Sequence, residues 1–130
     1  MTEVRYFSRS GNTKAIAEAI AAAAGVEAKD VSVPLEGNTD VLLIGGALYA
    51  GGIAGKLKKF IKTLSPERVK TVVAFSTTAD PKGAYVKIKK ALDKQGLNVL
   101  EKEFHCLGKD AKGKEAQEKA AQFAKEVLEG

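Results

Sequence analysis

Six residues near the N-terminus, Ser8-Arg9-Ser10-Gly11-Asn12-Thr13, gather three hydroxyls, a side-chain amide and a glycine at one point of the chain. The residues before them, Glu3 to Phe7, read as a short strand, and residues 12–24 read as an Ala-rich helix. The first turn of a helix presents unpaired N–H groups and a partial positive charge. Ser8, Ser10, Asn12 and Thr13 would add donors around that point, and Gly11 would let the backbone approach a ligand closely. Such a set could cradle a phosphate without an obligatory cation. The plain alternative is helix capping, which needs only one of these residues. The stretch is neither a Walker A loop, since the Gly-Lys-Ser/Thr ending is absent, nor a GxGxxG turn.

Two more segments are longer or more polar than a connection requires. One is Gly45-Gly46-Ala47-Leu48-Tyr49-Ala50-Gly51-Gly52, and the other runs from Ser76-Thr77-Thr78-Ala79-Asp80-Pro81 to Tyr85. His105 and Cys106 suggest a nucleophile and base. Neighbours on a strand point to opposite faces, however, so Cys106 reads as a small buried apolar residue. One histidine and one cysteine give no metal-ligand spacing, and the carboxylates form no convincing acid–base pair.

These segments follow strands in an alternating pattern. Val26 to Val33 reads as a second strand and Val41-Leu42-Leu43-Ile44 as a third, covered on both faces. Ile53, Leu57, Phe60, Ile61 and Leu64 recur at helical spacing. Val72 to Phe75 is a fourth strand, residues 82–95 a helix ended by Gly96, Leu97 to Leu107 a fifth strand, and Ala116 to Leu128 a last amphipathic helix. The order β-α-β-β-α-β-α-β-α predicts an α/β fold, a parallel sheet with helices on both faces. Only six residues, Pro34 to Thr39, separate the second and third strands. This predicts a crossover whose helix has shrunk to a loop. In open parallel sheets ligands bind beyond the C-terminal strand ends, which is where the three polar segments fall.

The stretch YFSRSGNTKAIAEAIA resembles the phosphate-loop signature of flavodoxins, and the likeness extends over nearly the whole chain through the Gly-Gly loop with its aromatic residue and through FSTTADPKGAY. The resemblance implies a single flavodoxin-like domain over residues 1–130, a three-layer sandwich with strand order 2-1-3-4-5. It implies FMN as cofactor and electron transfer as function. By the same likeness, Ser8, Arg9, Ser10, Gly11, Asn12 and Thr13 would hold the FMN phosphate, Arg9 through its backbone. Gly46, Ala47, Leu48, Tyr49, Ala50 and Gly51 would line one side of the ring, with Leu48 or Tyr49 against it. Ser76, Thr77, Thr78, Ala79 and Asp80 would meet the other edge, and Tyr85 would stack on the remaining face. The chain has no tryptophan, so its tyrosines must supply any stacking. Enzymes of the same fold, acting on NAD(P)H with a quinone or a porphyrin intermediate, are an alternative. An interaction module with a weakened flavin site is another.

The formal net charge is +5, and residues 56–70 and 82–94 carry most of the surplus lysines. Flavodoxins are typically acidic, so this balance departs from the pattern. Two readings follow: a solvated helix surface, or a docking face for an acidic redox partner protein. A basic surround also favours the anionic reduced flavin, which predicts a less negative potential than in an acidic relative. The basic face lacks the interleaved aromatics of a nucleic-acid reader. No apolar run reaches the length of a membrane span, and the start of the sequence lacks a signal-peptide pattern. With one cysteine these features predict a cytoplasmic location.

Overall fold

A computed structural model describes residues 1–49, 51–78 and 81–129, residues 81–83 by backbone alone. Five strands form one parallel sheet: β1 (Thr2–Tyr6), β2 (Ala28–Asp30), β3 (Thr39–Gly46), β6 (Val69–Thr77) and β7 (Phe104–Cys106). Their order is β2-β1-β3-β6-β7, which is the expected 2-1-3-4-5 when only these five are counted. Two further short strands, β4 (Leu48–Tyr49) and β5 (Gly52–Ile53), pair as an antiparallel ribbon.

Two apolar layers enclose the sheet because alternate side chains of its strands point to opposite faces. Val4, Leu43, Val73 and Phe75 meet α1 (Asn12–Ala24) and α4 (Lys114–Glu129) through Ile16, Ile20, Ala120 and Ala124. Leu42, Ile44, Val72 and Ala74 meet α2 (Gly55–Lys62) and α3 (Pro81–Lys94) through Leu57, Phe60, Ile61, Ile88 and Leu92. All five residues of the predicted helical stripe, Ile53 to Leu64, are buried in this second layer, but only Leu57, Phe60 and Ile61 lie on α2: Ile53 belongs to β5 and Leu64 follows the helix. Helix α1 ends at Gly25, whose φ of 74° is left-handed. There the Val26 N–H donates to the Ala21 carbonyl at 3.0 Å, closing the last turn.

The chain from Val31 to Asn38 crosses β1 with no helix, as expected of the shortened crossover, and places β2 and β3 on opposite sides of β1. Val31 and Leu35 pack into the α2–α3 layer. Beneath them lies Arg5, from β1, only 2% exposed. Its Nε donates to the Val33 carbonyl at 2.8 Å, and one terminal nitrogen to the Pro34 carbonyl at 3.1 Å. The other terminal nitrogen pairs with Glu3 at 2.9 Å. A planar five-donor group thus satisfies loop carbonyls where a crossover helix would satisfy its own.

Both outer strands are shorter than expected. β2 covers three residues of the predicted 26–33. The fifth strand is not continuous over 97–107: Val99 bridges Val72, and pairing resumes only where Phe104 faces Phe75. Three steps along β6 are matched by five along the edge strand, so two extra residues bulge out between them. Edge strands commonly carry such interruptions, which blunt their unpaired backbone.

The functional consequence lies in the register. Tyr6 is level with Gly45, Gly45 with Phe75, and Phe75 with Phe104. The strands therefore finish together at one edge of the sheet. Successive connections leave β1 and β3 for opposite faces, through α1 and α2, so a crevice opens between their ends.

Candidate functional site

The first loop fills the turn between β1 and α1. Gly11 is the N-cap of the helix, at a left-handed φ of 90°, and no side chain caps it. The first ladder bond runs from the Ala15 N–H to the Gly11 carbonyl at 3.0 Å. The amides of Asn12, Thr13 and Lys14 thus precede the ladder and have no intrahelical acceptor. No acidic side chain stands in the first turn to neutralise them. Capping therefore does not account for the polar residues of this turn. Ser8 does serve the loop: its hydroxyl accepts the Gly11 N–H at 3.0 Å. The donor set suits a phosphate: amides with no acceptor among the described residues at a helix start, a glycine at the closest approach, and the Ser10 and Asn12 side chains next in sequence.

The other loops are tied to the first. The Thr13 and Thr77 side-chain oxygens lie 2.7 Å apart and are buried, which joins α1 to the end of β6. The Arg9 N–H donates to the Tyr49 hydroxyl at 3.3 Å, and the Arg9 guanidinium lies 4.2 Å from the Tyr49 ring centroid. Phe7 meets the same ring edge-on, with centroids 6.1 Å apart. Of the two candidates for ring contact in the second loop, Leu48 packs into the α2–α3 core while Tyr49 stands beside the first loop.

Several expected site residues turn out to belong to the sheet. Gly45 and Gly46 are the last residues of β3, and Ser76 and Thr77 the last of β6. A Cβ at Gly45 would lie 2.1 Å from the Phe75 ring, and one at Gly46 would lie 2.6 Å from Leu57. Core packing alone thus requires the glycine at 45, against a rigid ring, whereas at 46 the tip of Leu57 would have to move. Ala47 and Thr78 follow the strand ends directly, and the Thr78 N–H donates to the Cys106 carbonyl at 3.3 Å. Gly51 turns the ribbon at a φ of 82°. Ala50, Ala79 and Asp80 lie outside the described residues.

Tyr85 is placed apart from the other loops. Its ring packs on the α2–α3 core, and its hydroxyl donates to the Leu100 carbonyl at 3.3 Å. The Leu100 N–H in turn bonds Val72, four residues back along β6 from Ser76. Burial pushes the phenol above its ordinary value, with Lys89 acting in the opposite direction.

One residue near the site escaped the sequence reading. Lys112, just before α4, donates from its ammonium to the Ser10 carbonyl at 3.1 Å. Its Nζ lies 3.6 Å from the point where a Gly11 side chain would begin. Nothing in the sequence marks this lysine among its neighbours, since 102 positions separate it from Ser10. His105 points away from such chemistry, exposed and bonded to Glu103 at 2.7 Å. Burial raises the Cys106 thiol to about 11, with the Asp110 charge adding to it. Among the described residues no cluster of His, Cys, Asp or Glu has metal-binding geometry, and no helix is long and apolar enough to cross a membrane.

A glycine-turned loop opening α1 at the switch point of a 2-1-3-4-5 sheet defines a doubly wound α/β protein. A model of the flavodoxin domain matches residues 4–127, and the chain belongs to the flavodoxin family. Its fold is similar to that of oxidised flavodoxin 2 from Bacillus cereus, with a TM-score of 0.77 and 16% identity over 98% of this chain and 97% of that one. A flavodoxin from the domain Archaea superposes with a TM-score of 0.72 and 21% identity, covering 98% of each chain. A flavoprotein in complex with FMN, from Lactobacillus acidophilus NCFM, gives 0.66 and 21% over 80% of this chain and 91% of that one. At these identities the likeness establishes the fold alone. No curated protein matched.

Proposed function

We propose that this protein binds FMN at the ends of β1, β3 and β6 and serves as an electron carrier. The observation that carries the reading is the start of α1: a left-handed glycine N-cap that offers no capping side chain, so that the amides of Asn12, Thr13 and Lys14 begin the helix with no intrahelical acceptor. The family supports FMN as the ligand, as does the FMN held by the Lactobacillus relative. Bound FMN would supply the one- and two-electron chemistry. The chain supplies binding and placement.

The amides of Asn12, Thr13 and Lys14 and the hydroxyl of Ser10 would take the phosphate. The Thr13 hydroxyl is engaged with Thr77 and is left out of the phosphate set. Tyr49 is the side chain available to the ring, and Ser76, Thr77 and Thr78 border its far edge. The lysines of α2 and α3 lean the electrostatics toward a reduced, anionic ring, so the midpoint potential is expected to be less negative than in an acidic relative.

The test is a titration of the purified chain with FMN and, separately, with riboflavin, followed by flavin fluorescence. FMN should bind at least tenfold more tightly, because only FMN carries the phosphate. Equal affinity would remove the phosphate loop from the proposal, and no binding of either flavin would remove the flavin. Electron transfer is checked by reducing the FMN-loaded protein and mixing it with ferricyanide, an anionic one-electron acceptor. Each reduced flavin should reduce two ferricyanides at a rate that falls as salt is raised, and a bound flavin that is not reoxidised would remove the carrier role.

A further inference from the structure

The two helical layers are charged very differently. Helices α2 and α3 carry nine lysines and one acid, Asp93. Helices α1 and α4 carry four lysines and five glutamates. On α4 the signs alternate at i, i+4, and Lys114–Glu118 and Lys119–Glu115 pair across a turn. On α2 and α3 the same spacing sets like beside like, as in Lys58 with Lys62 and Lys90 with Lys94. Like charges one turn apart weaken a helix. A surface that served solubility alone has no need of that arrangement.

These lysines surround a groove of about 370 Å³ between the two helices. Lys58, Lys62, Lys87, Lys90 and Lys94 form its rim, and Ile53, Ile61 and Ala91 contribute apolar surface. Asp93 lies beside Val86, Lys90 and Lys94, where its charge is matched by Lys89 at 2.8 Å. No other ion pair on these helices appears among the described residues. Beyond Lys90, Val86 is 53% exposed, the most exposed large apolar side chain after Met1. An apolar centre within a charged rim is the anatomy of a protein interface. The groove also abuts the site. Ile53 lies in β5, which pairs with the strand carrying Tyr49.

We propose that this groove docks a small acidic electron-transfer protein, its carboxylates meeting the five rim lysines and its apolar contact covering Ala91 and the exposed Val86 beside it. Charge complementarity commits the surface to an acidic partner. The electron-transfer character of that partner rests on the flavin reading, whereas the docking does not.

The experiment uses the full chain, labelled with ¹⁵N and free of flavin, titrated with a small acidic [2Fe–2S] ferredoxin at low and high salt. Amide shifts should map to α2, α3 and the β4–β5 ribbon, and affinity should fall more than tenfold between 20 and 200 mM salt. The triple variant Lys58→Glu, Lys87→Glu, Lys90→Glu should weaken binding at least tenfold. A triple reversal on α4, at Lys114, Lys119 and Lys125, makes the same change in net charge and should weaken it less than threefold. Neutral Lys→Gln versions at the groove positions should give an intermediate loss. Equal losses from the two triples, shifts centred elsewhere, or no binding at millimolar ferredoxin would each overturn the proposal. So would a dT20 oligonucleotide that displaces ferredoxin from the same amides with higher affinity, which would make the groove a nucleic-acid surface. FMN is titrated into the same samples. Docking without FMN uptake retains the groove and defeats the flavin reading, and FMN uptake without docking does the reverse.

Discussion

The hydroxyl of Thr13, in the first turn of α1, and that of Thr77, at the end of β6, face each other at 2.7 Å with 1% and 2% of their residues exposed. They join the first and third strand-end loops through the interior. Removing either hydroxyl leaves the other buried without this partner, at a cost of about 1–3 kcal/mol. We therefore expect Thr13→Val and Thr77→Val each to lose stability on that scale in urea unfolding. The double variant should lose less than the sum, with a coupling of about 1 kcal/mol. FMN affinity should change less than threefold in Thr13→Val, since its backbone amide and not its hydroxyl is assigned to the phosphate. Additive losses would mean that the two hydroxyls do not act as a pair.

Arg5 should be the costliest polar residue to replace. Its guanidinium holds the Val33 and Pro34 carbonyls from below the crossover, in a buried position. Hydrogen bonds from a charged donor contribute about 1.5–3 kcal/mol each. Arg5→Met, of similar reach, is expected to lose about 2–4 kcal/mol, set by these bonds against the relief of burying no charge. Arg5→Lys should recover less than half of that, because an ammonium cannot span both carbonyls as a planar fork does. Amide exchange locates the effect. The Val31 and Val33 N–H groups, bonded to Tyr6 and Asp30, should lose protection before those of α1. Uniform loss of protection across the chain would contradict this local role.

The same arginine marks the boundary of what the sequence discloses. Helical spacing from Ile53 to Leu64 and the unbroken apolar run of β3 are local signals, and they led directly to the layers observed. The Ser8–Thr13 turn is local too, so its position at the strand edge could be read in advance. Arg5 looks like one more polar residue of a strand, and its fate depends on a loop 28 positions away. Gly45 and Gly46 read as loop because glycine is common there. They are strand residues whose missing side chains make room for Phe75 and Leu57. The bulge in the fifth strand arises from pairing with β6, a partner that periodicity along the strand does not contain. The resemblance assigns Tyr85 to a flavin face, while its bond to Leu100 depends on an edge segment 15 positions further along the chain.

Cys106 offers a pH test of its surroundings. Burial first, and the Asp110 charge second, raise its thiol from an ordinary 9.0 to about 11. The shift favours the protonated form, so the thiolate is scarcer at any pH below 11. At pH 8 the thiolate fraction should be about a hundredfold lower than for an unperturbed thiol. Alkylation by iodoacetamide should therefore be slow at pH 8 and should keep rising with pH up to about 11. Urea-unfolded protein should react faster and level off near pH 9. A native-state rate that already levels off near pH 9 would show the thiol to be unperturbed.

Lys112 should discriminate between flavins by charge. Its ammonium bonds the Ser10 carbonyl at 3.1 Å and stands over Gly11, at the lip of the phosphate loop. An exposed cation contributes little through a single pair, because water and salt screen it. A phosphate dianion in the loop would nevertheless feel it, while riboflavin, which has no phosphate, would not. Lys112→Gln is expected to weaken FMN binding about fivefold at 20 mM salt. The loss should shrink below twofold at 0.5 M salt, and riboflavin affinity should stay unchanged throughout. Gly11→Ala is the companion variant. At a φ of 90° an alanine is strained, while its Cβ would only touch Lys112, at an ordinary 3.5 Å. It should weaken FMN binding at both salt concentrations, because backbone strain is not screened. If Lys112→Gln behaved like Gly11→Ala, with a loss that salt left intact, the lysine would be bracing the loop through Ser10 and contributing no field to the phosphate.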